Sequence, residues 1–287
     1  MKCKKILITG STGFIGSNLV MFLSKQNYSL YCLYRSHRGD SGNNMTYIQQ
    51  DLNQPLVIDK LPHDVDCIIH LAANMSKTAK NSELFQTNTV GTLNLLEYGK
   101  TTGIKKFIFA STGGVYGYST SPHKEESRIN PVDFYGLSKY ESELLVKHYS
   151  KHFSTTILRL FFPYGRGQTK NIIPLLVNRI KNNEPIIIYN DDNPKINPIY
   201  ITDVLNAISN SLLLEGQDIL NIAGNDTITI KELAKLISTH IKSEPIFKYV
   251  DDSSIVDLVG DNTKMRKILG ITPITIEEGI KKYLMSV

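Results

Sequence analysis

A tyrosine, a lysine and a threonine in this chain have the types and spacing to move a proton. Tyr135 and Lys139 stand four apart in Tyr135-Gly-Leu-Ser-Lys139, so on a helix they share one face. A phenol titrates near about 10 and is a poor base at neutral pH. A nearby ammonium and an oxidised nicotinamide would favour the phenolate and lower that value. Thr112 ends the run Lys105-Lys-Phe-Ile-Phe-Ala-Ser-Thr112; its hydroxyl could hold a substrate oxygen while Tyr135 transfers the proton. A Tyr-x-x-x-Lys spacing is weak evidence by itself, because helix surfaces produce such pairs by chance. It gains weight from the stretch that would bring a redox cofactor to it.

That stretch is Lys5 to Gly16, an apolar run that flows into Thr9-Gly10-Ser11-Thr12-Gly13-Phe14-Ile15-Gly16 and then into a helical pattern. Strand, glycine turn and helix in this order are the context a dinucleotide fingerprint requires. Gly10 would make the tight turn, Gly13 would let backbone N–H groups approach a pyrophosphate, and Gly16 would let the helix close on the strand. Thr12, Phe14 and Ile15 complete the expected cofactor cradle, and the helix N-terminus supplies N–H donors and a positive dipole end. The plainer alternative is a glycine-rich turn with no ligand. Alternating strands and helices predict a Rossmann-type doubly wound parallel sheet.

The second strand, Tyr28 to Tyr34, is followed by Arg35-Ser36-His37-Arg38, and no acid comes before Asp40. An acidic residue there would bind a ribose 2′-hydroxyl and select NAD; guanidiniums and a serine would hold a 2′-phosphate. NADP(H) is therefore the expected cofactor and NAD(H) the alternative. Asp51, past the third strand, could accept from the adenine amino group or could cap a turn. Ala72 and Ala73 end a buried strand where a cofactor could pass close. His70, inside that apolar run, reads as a satisfied core histidine.

Composition narrows the function classes. A chain of 287 residues with 41% hydrophobic and 21% charged residues is ordinary for a globular protein. The net charge of +5 is spread over scattered lysines, so nucleic acid is not an expected partner. No apolar run approaches the length of a membrane span, and Lys5 enters a strand directly, so no export signal is expected. Cys3, Cys32 and Cys67 lack metal-ligand spacing; Cys32 and Cys67, inside apolar runs, read as buried strand thiols, which fits a reducing cytoplasm. No metal is expected.

Together these motifs resemble the extended short-chain dehydrogenase/reductase family, the NAD(P)-dependent epimerases, dehydratases and reductases of nucleotide sugars. The resemblance covers nearly the whole chain and implies a dinucleotide-binding domain over 1–165, with 196–225 returning to it, and a smaller α/β C-terminal substrate-binding lobe mainly over 166–287. It implies that Asp51-Leu52 contacts adenine and that Leu71-Ala72-Ala73 and Asn88-Thr-Val-Gly91-Thr92 are mid-domain motifs. It also implies that Thr112, Tyr135 and Lys139 are catalytic, with Tyr135 moving the proton and Lys139 binding the nicotinamide ribose. Phe162, in the turn after the sixth strand, would meet cofactor and substrate. Met75, Thr112, Arg166 and Asn197 would meet the substrate, and the segment from Asp261 to Gly270 fits a lobe of the nucleotide-sugar type. A homodimer paired through the helices Glu83–Gly99 and Tyr135–His152 is implied as well.

The chain departs from the family pattern at three places. Gly113-Gly114 stand where dehydratases carry an Asp-Glu pair, so loss of water is not the expected reaction. Phe162 replaces an asparagine common in epimerases. Ile196-Asn197-Pro198 stand where an arginine often pairs with the substrate pyrophosphate; Lys195, Arg166, Lys170, Arg179 and Arg266 are the other cations available, with Arg166 closest to the catalytic turn. The expected activity is a keto-reductase acting on a nucleotide-activated sugar. The alternatives are an NAD-dependent 4-epimerase and a catalytically silent dinucleotide-binding regulatory protein.

Overall fold

The computed structural model describes residues 3–40, 42–190, 194–252 and 256–286. The first apolar run is β1 (Lys5–Thr9), and the helix after the glycine turn is α1 (Phe14–Leu23), which buries Leu19, Val20 and Leu23. Then come β2 (Ser29–Tyr34), β3 (Met45–Gln49) and the wholly buried β4 (Cys67–His70). α2 (Asn81–Phe85) passes through a π-helical turn, Gln86–Val90, into α3 (Gly91–Thr102). Gly103, left-handed at φ 68°, ends this run, whereas Gly99 lies inside it, pressed against Ile104 and Ile68. β5 (Lys106–Thr112), α4 (Phe134–Tyr149) and β6 (Ser154–Leu160) follow. Asp133 caps α4 by accepting from the Gly136 N–H at 2.6 Å.

The remaining elements are shorter. β7 (Pro163–Tyr164), α5 (Ile172–Lys181), β8 (Pro185–Tyr189), β9 (Lys195–Ile196) and β10 (Ile199–Tyr200) precede α6 (Ile201–Ser211). After them come β11 (Gln217–Ile222), β12 (Ile228–Thr229), α7 (Ile230–Ile241), β13 (Ile246–Val250), α8 (Thr263–Leu269) and α9 (Ile276–Leu284).

The main sheet has seven strands in the order β11-β6-β5-β4-β1-β2-β3. β1 pairs in parallel on both sides, with Leu7 opposite Tyr31 of β2 and Ile68 of β4. Successive strands run outward in opposite directions from β1 and β4. That makes the β1/β4 boundary the topological switch point, where ligands bind outside the carboxyl ends of the strands. Leu7, Ile68, Phe107 and Phe109 from the sheet pack with Leu95, Leu96 and Val146 from α3 and α4. Burial on both faces is why these strands read as unbroken apolar runs rather than alternating ones.

The chain divides into two compact units. One holds 1–115, 131–159 and 205–220; the other holds 116–130, 160–204 and 221–287. Within the second, Tyr116 stacks on His123 at 4.6 Å and donates to Asn221 Oδ1 at 2.8 Å, while Asn221 Nδ2 donates to the His123 carbonyl. α7 opens with a reciprocal cap between Thr229 and Glu232. Cys3, Cys32 and Cys67 are buried free thiols. No helix among the described residues is long and apolar enough to cross a membrane. Nor do the described residues include a group of three or more His, Cys, Asp or Glu placed to hold a metal.

The glycine turn is sterically graded. A Cβ on Gly16 would lie 2.0 Å from the Gly10 carbonyl oxygen, whereas one on Gly13 would meet only that oxygen, at 3.3 Å. Gly16→Ala should therefore destabilise the protein by about 1–3 kcal/mol, the cost of forcing an overpacked contact. Gly13→Ala should cost clearly less. Urea unfolding of the two variants checks the order.

Candidate active site

The glycine turn crosses the carboxyl end of β1. Gly10 sits at φ 66° with room for no side chain, because a Cβ would lie 2.7 Å from the Ala72 nitrogen at the end of β4. Only glycine takes that conformation and that approach together. Ser11 ties the turn to β2 by donating from its hydroxyl to the Leu33 carbonyl at 2.7 Å. Gly13 is the N-cap of α1, and no side chain caps it. The first-turn N–H groups that a helix leaves unpaired are thus left for a ligand, and the space over Gly13 suits the close backbone approach a pyrophosphate makes. The cradle fits a dinucleotide.

Arg35, Ser36 and Arg38 are exposed beyond β2. The Arg35 carbonyl accepts from Gln49 Nε2 at 3.0 Å, and the Arg38 guanidinium lies 5.7 Å over the Tyr47 ring. Asp51 caps its own turn, one carboxylate oxygen accepting from the Asn53 N–H at 2.9 Å. Leu52 is buried, while Leu71, Ala72 and Ala73 are half-buried.

A chain of hydrogen bonds runs from that strand end into the helices. The Ala72 N–H donates to Thr9 Oγ1, and the Thr9 hydroxyl donates to His70 Nδ1 at 2.6 Å. The Thr92 hydroxyl donates to the Asn88 carbonyl at 2.5 Å, so Thr92 accepts from His70 Nε2 at 2.9 Å. Both ring nitrogens are used, and burial together with the Lys139 charge holds the His70 pKa well below its usual value. His70 is a neutral core histidine. Asn88, fully buried on the π-helical turn, donates to Asn74 O and to Ser138 Oγ at 2.9 Å. Ser138 precedes Lys139, so the π-helical turn braces the helix that carries the tyrosine and the lysine; such turns recur at functional sites.

Thr112 Oγ1 accepts from the Gly114 N–H at 3.1 Å. A Cβ on Gly136, the residue after Tyr135, would lie 3.0 Å from the Gly114 carbonyl oxygen. The start of α4 therefore packs against the turn that follows Thr112. Tyr135 is half-buried, and burial, reinforced by Asp133, raises its pKa. Lys139 is only 1% exposed. Its Nζ sits 4.0 Å over the centroid of the Phe109 ring. Burial pushes its pKa down to about 7, while the Glu143 charge pulls it back up. The Tyr135 phenol is thus held protonated.

Phe162, Arg166 and Asn197 belong to the second unit. Phe162 adopts φ 45°, a left-handed conformation that is costly for a bulky side chain; asparagine, the residue it replaces in the family pattern, tolerates it better. Arg166 and Met75 are exposed. Asn197 is 3% exposed, donating to the Gly224 and Gly260 carbonyls and accepting from the Gly260 N–H at 3.1 Å. Its amide clamps three loop segments and is committed there, which removes it from the expected substrate contacts.

Sequence reasoning missed Glu143 and Arg159. Arg159 Nε and NH2 donate to Glu143 Oε1 and Oε2 at 2.9 and 2.6 Å, and Ser111 donates to Oε1 at 2.6 Å. A lone arginine in the apolar strand Thr155-Thr-Ile-Leu-Arg159-Leu was the signal, since a buried charge demands a partner.

Residues 6–223 match the family described as the NAD dependent epimerase/dehydratase family. The chain is 31% identical over 310 residues to a dTDP-4-dehydro-6-deoxyglucose reductase of Escherichia coli, covering 98% of this chain and 97% of the relative. It is 30% identical to a putative UDP-glucose 4-epimerase of Methanocaldococcus jannaschii, covering 97% of each. Among solved structures, MoeE5 in complex with UDP-glucuronic acid and NAD superposes with a TM-score of 0.89 at 25% identity over 98% of both chains. With the glycine cradle at the switch point and the tyrosine–lysine helix beside the Thr112 turn, the chain belongs to the NAD-dependent epimerase/dehydratase family.

Proposed function

We propose that this enzyme is an NADPH-dependent reductase of a keto group on a nucleotide-activated sugar. The observation that carries the reading is the carboxyl end of β2, where Arg35 and Arg38 are exposed and no acidic residue comes between Tyr34 and Asp40. Gly10, Thr12, Gly13, Phe14, Ile15 and Gly16 would hold the pyrophosphate, Asp51 and Leu52 the adenine, and Leu71, Ala72 and Ala73 the path toward the reacting end. Bound NADPH would supply the hydride. Thr112 would hold the carbonyl oxygen by a hydrogen bond, and Tyr135, kept protonated by burial, would give that oxygen its proton. Lys139 would hold the nicotinamide ribose and stabilise the phenolate that Tyr135 leaves behind. Gly113 and Gly114 place no carboxylate beside Thr112, which argues against dehydration. Met75 and Thr112 are the proposed substrate contacts of the first unit.

A second reading is a nucleotide-sugar 4-epimerase with tightly held NAD. It is favoured by the solved complexes of structural relatives, MoeE5 with NAD among them. The two differ in redox balance: a reductase consumes one NADPH per turnover, while an epimerase returns the hydride and consumes none. We also propose a homodimer through α3 and α4, because Leu137 and Leu144 on α4 are 38% and 47% exposed, apolar surface that a partner helix would cover.

NADPH should raise the melting temperature more than NADH does, and Arg35→Glu should cancel or reverse the preference; equal shifts from the two cofactors would remove the NADPH assignment. Tyr135→Phe should bind cofactor normally and lose at least about 100-fold in turnover, measured against a panel of UDP-, GDP-, dTDP- and CDP-linked sugars. Light scattering at micromolar concentration should give a dimer mass, and Leu144→Glu should give the monomer.

A further inference from the structure

The catalytic helix carries a second acid–base feature that the reaction does not use directly. Glu143 lies one turn beyond Lys139 on α4 and is fully buried, as is Arg159 on β6, with Ser111 also buried on β5. The guanidinium grips both carboxylate oxygens, and the Ser111 hydroxyl adds a third bond. Three elements that carry or border the reacting groups therefore meet at one carboxylate. Ser111 is the neighbour of Thr112, and Glu143 shares a helix with Tyr135 and Lys139.

We propose that Glu143, clamped by Arg159 and Ser111, is the positioning residue of this site: it fixes α4 against the ends of β5 and β6 and is the anion that holds the Lys139 ammonium in its buried place. The inference deepens the oxidoreductase reading and rests on it for what Lys139 does, though not for the clamp of Arg159 and Ser111 on Glu143. A purely structural ion pair is the competing account. Buried pairs often stabilise no better than apolar side chains of the same volume, so retaining one beside a catalytic lysine calls for another role. The groups around the Lys139 ammonium support this one. His70 from β4 is neutral, because burial and the Lys139 charge hold its pKa well below the usual value. Phe109 from β5 offers only its ring face. Tyr135 is held protonated. Lys147, the next cation on α4, is itself acted on by Glu143 and Arg159. Glu143 is the acidic group that raises the lysine's proton affinity against the cost of burial.

The test is a lysine ζ-nitrogen NMR titration of the full chain without cofactor, the Lys139 signal being identified by its loss in Lys139→Met. Glu143→Gln leaves Arg159 buried without its counter-charge and can fail to fold, so Glu143→Gln/Arg159→Met, which removes both charges at similar volume, is titrated beside it. In the folded variant Lys139 should lose its proton at lower pH than in the wild type. Ser111→Ala, which keeps both charges, should move it less. NADPH affinity, read by fluorescence, should fall several-fold in the double variant and in Lys139→Met alike. Unchanged titration of Lys139 together with unchanged NADPH affinity in the double variant would overturn the proposal and leave a structural ion pair. A wild-type chain that binds neither NADPH nor NADH would instead overturn the oxidoreductase reading, and the titration would still decide the role of Glu143.

Discussion

Burying a lysine ammonium is the constraint around which this site is built. Lys139 has 1% of its surface exposed, and a charge taken out of water must be neutralised, paired or given up. The protein responds with several partial measures. The Phe109 ring face attracts the cation, the neighbouring histidine is kept uncharged by burial, and a fixed carboxylate stands one turn away. None of these replaces water fully, and the ammonium is left with a pKa of about 7. A lysine poised there can hold a ribose hydroxyl as a cation and can give its charge up when the local field changes. The fold holds this group at some cost, as is common where stability and activity pull apart.

The opposing shifts on Tyr135 and Lys139 share one cause. Burial disfavours the charged form of each, so the phenol keeps its proton and the ammonium tends to lose one. The chain without its cofactor is therefore set for donation rather than abstraction. An oxidised nicotinamide would bring positive charge to the same place and favour the phenolate, so the direction of proton transfer would follow the redox state of the cofactor. The sheet makes this arrangement rigid. Thr9 and His70, paired across β1 and β4, link the glycine turn to the π-helical turn, and Asn88 carries the link to Ser138, beside Lys139.

Much of the fold was legible because its signals are local. The Gly10–Gly16 spacing, the apolar runs of β1, β4 and β5, and the Tyr135–Lys139 pair each fall within a few residues, and the parallel sheet follows from their order. What escaped depends on contacts between distant segments. Glu143 and Arg159 are far apart in sequence until β6 lies beside α4. Asn197 looked like a donor for a ligand, but its partners are 27 and 63 residues away, which no local pattern announces. The π-helical turn at Gln86–Val90 was invisible because its apolar periodicity is that of the α-helix on either side. Gly99 seemed a helix end, yet it is a packing glycine beneath Ile104. Phe162 was legible only as a departure, and its left-handed backbone is seen only in the structure.

The burial of Lys139 is most directly tested by the pH dependence of stability in the cofactor-free chain. Between about 7, where Lys139 titrates when folded, and about 10.4, where a lysine titrates when unfolded, the unfolded chain binds more protons at this position. Its contribution to unfolding free energy must then rise with pH across that window. Urea unfolding at pH 7 and pH 10 should show the wild type gaining stability relative to Lys139→Met, with Lys139→Met the more stable of the two at pH 7. Parallel pH dependences for the two proteins, or a less stable Lys139→Met at pH 7, would contradict a lysine held in the core against its charge.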